Sequence, residues 1–154
     1  KQKIKFKNCQ FKIGKWLDPW GDKKFDVIIS DVSSINDFIA KESDWYDGVV
    51  CDSGDDGLKN IFKILSSIEK NLKKNGHFIL PIISLSNEKE LIRLLKRRFK
   101  KISFSKKVYW PLSDFFKKKI NRYKKLKEES KINFEEKFGI FLAYSYSAEC
   151  CGLK

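Results

Sequence analysis

The chain has 154 residues, of which 42% are hydrophobic, and it carries 33 Lys and Arg against 20 Asp and Glu for a net charge of +13. This length suits one domain around one core, and the balance excludes a disordered or collagen-like chain. No apolar run approaches the length of a membrane span and no signal-peptide pattern is present, so a reduced, cytoplasmic setting without a membrane partner is expected.

The positive charge attracts phosphates, anionic lipid or acidic proteins through salt-screened forces. Nearly all of it is Lys, whereas base-specific readers favour the two-pronged Arg. An abundance of Lys, Ile, Asn and Phe also follows from an AT-rich coding sequence. The cysteines, Cys9, Cys51, Cys150 and Cys151, form no C-x-x-C pair and His77 is the single histidine, so no metal site is expected. The chain contains no methionine and begins at Lys1, and it has no G-x-G-x-x-G or G-x-x-x-x-G-K loop; it reads as the rear portion of a longer protein.

In chain order, Lys1 to Phe6 suits either a helix tail or a linker. Cys9 to Ile13 alternates apolar and polar residues and is predicted as a short strand, followed by an aromatic, acidic turn from Trp16 to Trp20. Asp26 to Ser30 reads as a buried parallel strand covered on both faces, delivering Asp31, Ser33 and Ser34 to the carboxyl edge of the sheet, where ligands of open α/β sheets bind. Asn36 to Lys41 suits a helix and Ser43 to Asp47 a loop. Cys51 to Leu58, CDSGDDGL, is a polar turn into the strongest helix, Leu58 to Lys74. Its predicted buried stripe is Leu58, Ile61, Phe62, Leu65, Ile68 and Leu72. Asp55 and Asp56 stand at the positive end of this helix, and Asn75-Gly76 is the predicted left-handed stop.

His77 to Ile83 is a further strand, with Pro81 predicted to force a bulge or an end of pairing. His77 has no Cys or carboxylate at ligand spacing and is expected to be structural. Asn87 suits a helix cap answered by Glu90, with Leu91, Ile92, Leu95 and Phe99 on the buried face. Lys101 to Trp110 and Phe138 to Ser147 read as the last strands, giving an α/β order with an antiparallel end. Between them lies a basic segment, 111–131, with Lys117, Lys118, Lys119, Arg122, Lys124, Lys125, Lys127 and Lys131. Such a run is a solvated helix face or a phosphate contact. Phe115, Phe116 and Tyr123 suit core packing or, in the second case, base stacking.

Taken together, KNCQFKIGKW, FDVIISDVSSI, SGDDGLKNIF and NLKKNGHFIL resemble, in order and spacing, the rear half of class I S-adenosylmethionine-dependent methyltransferases. The nearest branch is that of the protein-glutamine methyltransferases acting on release factors. The resemblance implies one Rossmann-like methyltransferase domain spanning 1–154, its sheet mostly parallel with an antiparallel last strand and its N-terminal part missing. It further implies S-adenosylmethionine as cofactor, with Trp16 against the adenine and Asp31 at the methyl-transfer centre. Asp31, Val32, Ser33 and Ser34 occupy the family's Asn-Pro-Pro-Tyr position, which makes Val32, Ser33 and Ser34 acceptor-binding residues. Asp31 is then the catalytic group, able to accept a hydrogen bond or a proton.

Two departures matter. Lys15 replaces an acidic acceptor for the adenine amine, and an ammonium can only donate. No aromatic residue follows Asp31, so specificity for a planar nitrogen is expected to be lost. Because methyl transfer requires little beyond alignment, such a site tolerates the replacement. Without a glycine-rich cofactor loop, this chain is expected to bind S-adenosylmethionine weakly or not at all. The acceptor stays open among protein, RNA and small molecule. The alternative is a basic, non-catalytic nucleic-acid-binding or scaffolding module derived from this fold.

Overall fold

The computed structural model describes residues 8–46 and 49–154, without the side chain of Asp44. The linker or helix tail expected at Lys1 to Phe6 lies outside the described residues. The elements are β1 (Phe25–Ile29), α1 (Asp37–Glu42), α2 (Lys59–Asn71), β2 (Leu72–Ile83), α3 (Glu88–Arg98), β3 (Phe99–Phe104), β4 (Val108–Pro111), α4 (Asp114–Lys118), α5 (Ile120–Glu128), β5 (Glu135–Lys137) and β6 (Ile140–Leu153). The strands form one sheet in the order β1-β2-β6-β3, with β4 and β5 on the earlier half of β6.

β1 is parallel to β2, while β6 is antiparallel to β2, β3, β4 and β5. Five strands therefore share one direction and the last runs against them, which is the Rossmann-like α/β arrangement expected. β6 inserts between β2 and β3 and so joins every part of the sheet except β1.

Local side-chain chemistry marks the starts of three helices. The Asn36 side chain accepts from the N–H groups of Phe38 and Ile39 at the start of α1, and Asn87 accepts from Glu90 N–H at the start of α3. Asp56 Oδ1 accepts from Leu58 N–H at 2.9 Å just ahead of α2. Ile61, Ile64, Leu65 and Ile68 make the buried stripe of α2. Phe62, predicted within that stripe, is 55% exposed, because it falls on the rim of the helical wheel while Ile64 takes the inward place.

Further expectations are corrected. Cys9 to Ile13 forms no strand; Phe11 and Ile13 stand in solvent, with no strand to pair them among the described residues. α2 stops at Asn71 and Leu72 is already extended, so the chain passes directly into β2 without a left-handed Asn75-Gly76. Asn71 instead ties the helix end to the carbonyls of Gly21 and Lys23 at 2.7 and 3.0 Å. Gly76 serves close approach: a Cβ there would lie 2.8 Å from Leu72 Cδ1 and 3.0 Å from Asp26 O.

Lys101 to Trp110 splits into β3 and β4, which meet β6 in different registers on either side of Ser105. The last strand extends to Leu153, and Phe138, predicted within it, is an exposed turn residue at φ 50°. Pro81 pairs with Ser147 without a bulge. The rung from Ser30 N–H to Ile79 O ends the β1 pairing, and strand alternation points the Pro81 nitrogen toward the space past that end, where no donor is needed.

Two cores result. Ile28, Phe78, Leu80, Ile82, Ala148 and Cys150 line one face of the sheet under α2 and α3. On the opposite face a second core, with Ile35, Ile39, Leu85, Phe116, Tyr123, Phe134, Phe141 and Ala143, joins α1, α4 and α5 over the far end of β6. Strand parity puts Phe141 and Ala143 on the side of Glu149 and Cys151. This second core does not reach β1: Val27 is 49% and Ile29 72% exposed, so the expectation of a strand covered on both faces fails. Helices reach only one side of β1, and β2 is its one strand neighbour among the described residues.

Candidate functional site

The carboxyl end of β1 is the centre of the site. Ser30 closes the ladder to β2 with a 2.9 Å bond, after which Asp31 stands exposed and Val32 turns partly inward. Asn36 N–H bonds Leu85 O at 2.9 Å, and the Asn36 amide donates to Asp55 O, which ties the segment after β1 to the CDSGDDGL turn. Gly57 makes that turn possible. It sits at φ 74°, and a Cβ there would meet Ser86 Cβ at 2.7 Å and Ser34 O at 3.0 Å.

Trp16 reaches the same rim from the turn before the short 3-10 segment Asp18–Trp20, held by Asp18 N–H to Lys15 O at 3.1 Å. Trp16, Leu17, Ile28, Ile29, Ser30, Asp31, Val32 and Ile64 line one cleft of about 260 Å³. Trp16 has φ 53°, in the left-handed region that a bulky residue rarely adopts. Ser30 Oγ is buried and has no hydrogen-bond partner among the described residues.

Ser33 lies in an adjoining polar network. Its hydroxyl is 3.1 Å from Tyr46 OH and 2.7 Å from Cys51 Sγ, and it accepts from Ser53 Oγ–H at 2.9 Å. Ser53 N–H donates to Asp37 Oδ1 at 2.7 Å, and Asn60 donates to Ser33 O at 3.3 Å. Burial raises the Tyr46 phenol above its ordinary value, opposed by the hydrogen bond with Ser33. Ser34 is 2% exposed, its carbonyl lies against the packed Gly57 turn, and its hydroxyl has no hydrogen-bond partner among the described residues. The structure thus brings Trp16, Asp31 and Val32 to one cleft, sets Ser33 beside it and buries Ser34 beneath it.

Ser30, Tyr46, Cys51 and Ser53 were missed by sequence reasoning. Ser30 could have been found as the last residue of a strand whose next residue opens a turn. The other three meet Ser33 from segments distant in the chain, and no local spacing signals such a meeting.

In the basic segment, Phe116 stacks on Tyr123 with ring centroids 4.0 Å apart, and both are buried, which bears out core packing for Phe116 and leaves neither ring to stack a base. Lys117, Lys119 and Lys131 pair with Asp114, Glu42 and Asp55 at 3.0, 2.6 and 2.9 Å. Arg122 covers the Phe38 ring at 3.3 Å and Lys127 donates to Phe134 O. Five of the eight basic residues of the run are therefore engaged with their own protein. His77, which has no ligand-type neighbour along the sequence, meets Glu149 and Cys151 across β2 and β6. Among the described residues no group of His, Cys, Asp and Glu has the geometry to hold a metal ion, and no helix is long and apolar enough to cross a membrane.

A parallel strand edge beside an antiparallel last strand inserted within the sheet defines a Rossmann-like α/β protein, with a cleft at the carboxyl end of β1. The family model described as "Methyltransferase domain" matches residues 1–137, and the chain belongs to that family. The match specifies the methyltransferase domain and lends no support to the release-factor glutamine branch. No curated protein and no solved structure matches the chain. The family generally uses S-adenosylmethionine.

The residues of the cleft fit part of such a cofactor. The Trp16 indole with Leu17, Val32 and Ile64 offers apolar walls to a planar base, the orphaned Ser30 hydroxyl offers one polar partner, and the Asp31 carboxylate suits positive charge.

Proposed function

We propose that this chain contributes the acceptor side and the adenine-facing wall of an S-adenosylmethionine-dependent methyltransferase site at the carboxyl end of β1. The observation that carries the reading is the shared cleft of Trp16 and Asp31, which come from two segments held together only by the fold. The left-handed Trp16 backbone and the unpartnered Ser30 hydroxyl support it, since strain and unsatisfied buried polar groups concentrate where ligands bind.

The cofactor supplies an electrophilic methyl on a sulfonium; the chain's own groups orient and deprotonate the acceptor. Asp31 stands exposed at the cleft and accepts a hydrogen bond or proton from an acceptor hydroxyl or amine. Ser33 anchors the following backbone, and Tyr46 brings to this rim the aromatic ring that Val32, Ser33 and Ser34 lack. A hydroxyl or a flexible amine suits the arrangement better than a planar amide, because the Tyr46 phenol is engaged with Ser33.

The test is a titration with S-adenosylhomocysteine followed by backbone and indole NMR signals. Shifts centred on Trp16, Leu17, Asp31 and Val32, saturating at about millimolar ligand and lost in Trp16→Ala, are expected. Silence at those signals up to about 10 mM, or shifts confined to another surface, overturns the proposal.

A second reading rests on Lys118, Lys124 and Lys125, which are exposed and make no ion pair among the described residues. They form the part of the basic segment free to meet a phosphate backbone. Replacing all three by Gln is expected to remove most salt-dependent RNA binding and to lower the slope of log affinity against log salt by about 2 to 3. RNA binding unchanged by this replacement removes the second reading and leaves the first intact.

A further inference from the structure

The face of the sheet left uncovered by the second core carries Val27 on β1, His77 on β2, Cys151 and Glu149 on β6, and Lys101 and Ser103 on β3, all placed side by side by the strand registers. Within it, three side chains form a line. Glu149 Oε1 is 2.7 Å from His77 Nδ1, and His77 Nε2 is 3.8 Å from Cys151 Sγ. A carboxylate can only accept a hydrogen bond, so Nδ1 carries the imidazole hydrogen and Nε2 turns its lone pair to the thiol. This is the order of nucleophile, base and orienting group that activates a thiol. Lys101 lies directly across the strand pair from Cys151 and adds a positive charge on the same face, while Asn75 O lies 3.7 Å from Sγ.

We propose that Cys151 is a reversible thiol-exchange site that takes low-molecular-weight disulfides. In the step, the Cys151 S–H proton passes to His77 Nε2 and the sulfur attacks one sulfur of the disulfide. The S–S bond breaks as the new bond to Sγ forms, and the leaving thiolate takes the proton from His77. Cys151 is oxidised to a mixed disulfide and the released sulfur is reduced to a thiol, so the reagent supplies the only oxidant needed.

The neighbouring thiol does not resolve the product. Cys150 faces the opposite side of the sheet with no exposure, and burial pushes its thiol up to about 12. Cys51 is buried in the second core and Cys9 lies in the exposed N-terminal loop. The adduct therefore persists until an outside thiol removes it.

The test is the rate of modification by oxidised glutathione or by an aromatic disulfide, mapped by peptide mass spectrometry, with Cys9 as the internal standard because it is the more exposed thiol. Cys151 is expected to react about tenfold faster than Cys9 near neutral pH. His77→Gln should bring the Cys151 rate to that of Cys9 and change the form of its pH–rate profile, while leaving Cys9 and the far-UV circular dichroism unchanged; Glu149→Gln should give a smaller loss. A Cys151 no faster than Cys9, or a rate that His77→Gln does not move, overturns the proposal.

Discussion

The two faces of β6 are made from one run of alternating residues and have opposite chemistry. Tyr144, Tyr146, Ala148 and Cys150 point into the core beneath α3, whereas Ser147, Glu149 and Cys151 point to the other side, which is open at the β1 end. On the covered face burial presses the phenols of Tyr144 and Tyr146 and the Cys150 thiol toward their neutral forms. Burial first, and then hydrogen bonds to Glu88, raise the Tyr144 and Tyr146 phenols well above their ordinary range. Across the sheet, His77, Glu149 and Cys151 remain in contact with water. Neighbours in sequence are thus separated by the whole thickness of a sheet in dielectric terms, and only one side can host proton transfer.

The strongest way to break this contrast is to truncate each face. Phe78 has no exposure and stacks with Phe99, so Phe78→Ala is expected to cost about 3 to 5 kcal/mol in urea unfolding. A loss below about 1 kcal/mol would mean that the covered face is not the main core.

Alkaline unfolding sharpens the same contrast. Phenols whose folded pKa is raised contribute stability that is complete below the unfolded value and lost as pH rises through the folded one. Tyr123, pushed up to about 12, and the still higher Tyr144 and Tyr146 should make stability fall from about pH 10 upward. Absorbance near the phenolate band should then rise together with the loss of structure, and buried phenols that titrate before unfolding would contradict this.

Asn36 sits where the rim meets the second core, capping α1 and holding the Asp55 carbonyl. Asn36→Ala is expected to cost about 1 to 2 kcal/mol and to alter the S-adenosylhomocysteine shifts at Asp31, because the segment after β1 loses its tie to the CDSGDDGL turn. A loss of stability without any change at the rim would separate the cap from the site. The smallest effect is expected on the open face, where Ile29→Ala should cost under about 1 kcal/mol by the same urea measurement. A larger cost would show that the open face of β1 is covered in solution.

Much of the architecture was legible in residue patterns. The Ile61, Leu65 and Ile68 stripe, the Asn87 cap with Glu90 three residues on, and the apolar run Val27-Ile28-Ile29 each carry their own local signal, and each became the element predicted. The misses have a common cause. Cys9 to Ile13 alternates like a strand, yet a strand needs a partner edge, and none of the described strands pairs with it. Asn75-Gly76 looks like a helix stop, yet the helix ended earlier because Asn71 found two carbonyls from a loop far back in the chain. Phe116 went to core packing, as its helical spacing favoured, but that its partner there would be Tyr123 was not legible.

Local pattern carried the α/β order, the antiparallel last strand and the choice of Asp31 as a rim residue, because hydrophobic period, caps and turns act within a few residues. The meeting of Trp16 with Asp31, of Tyr46 and Ser53 with Ser33, and of His77 with Cys151 and Glu149 was set by strand register and loop closure. Those contacts join residues far apart along the backbone, and their geometry exists only once the sheet has assembled, for which no short stretch of chain holds the information.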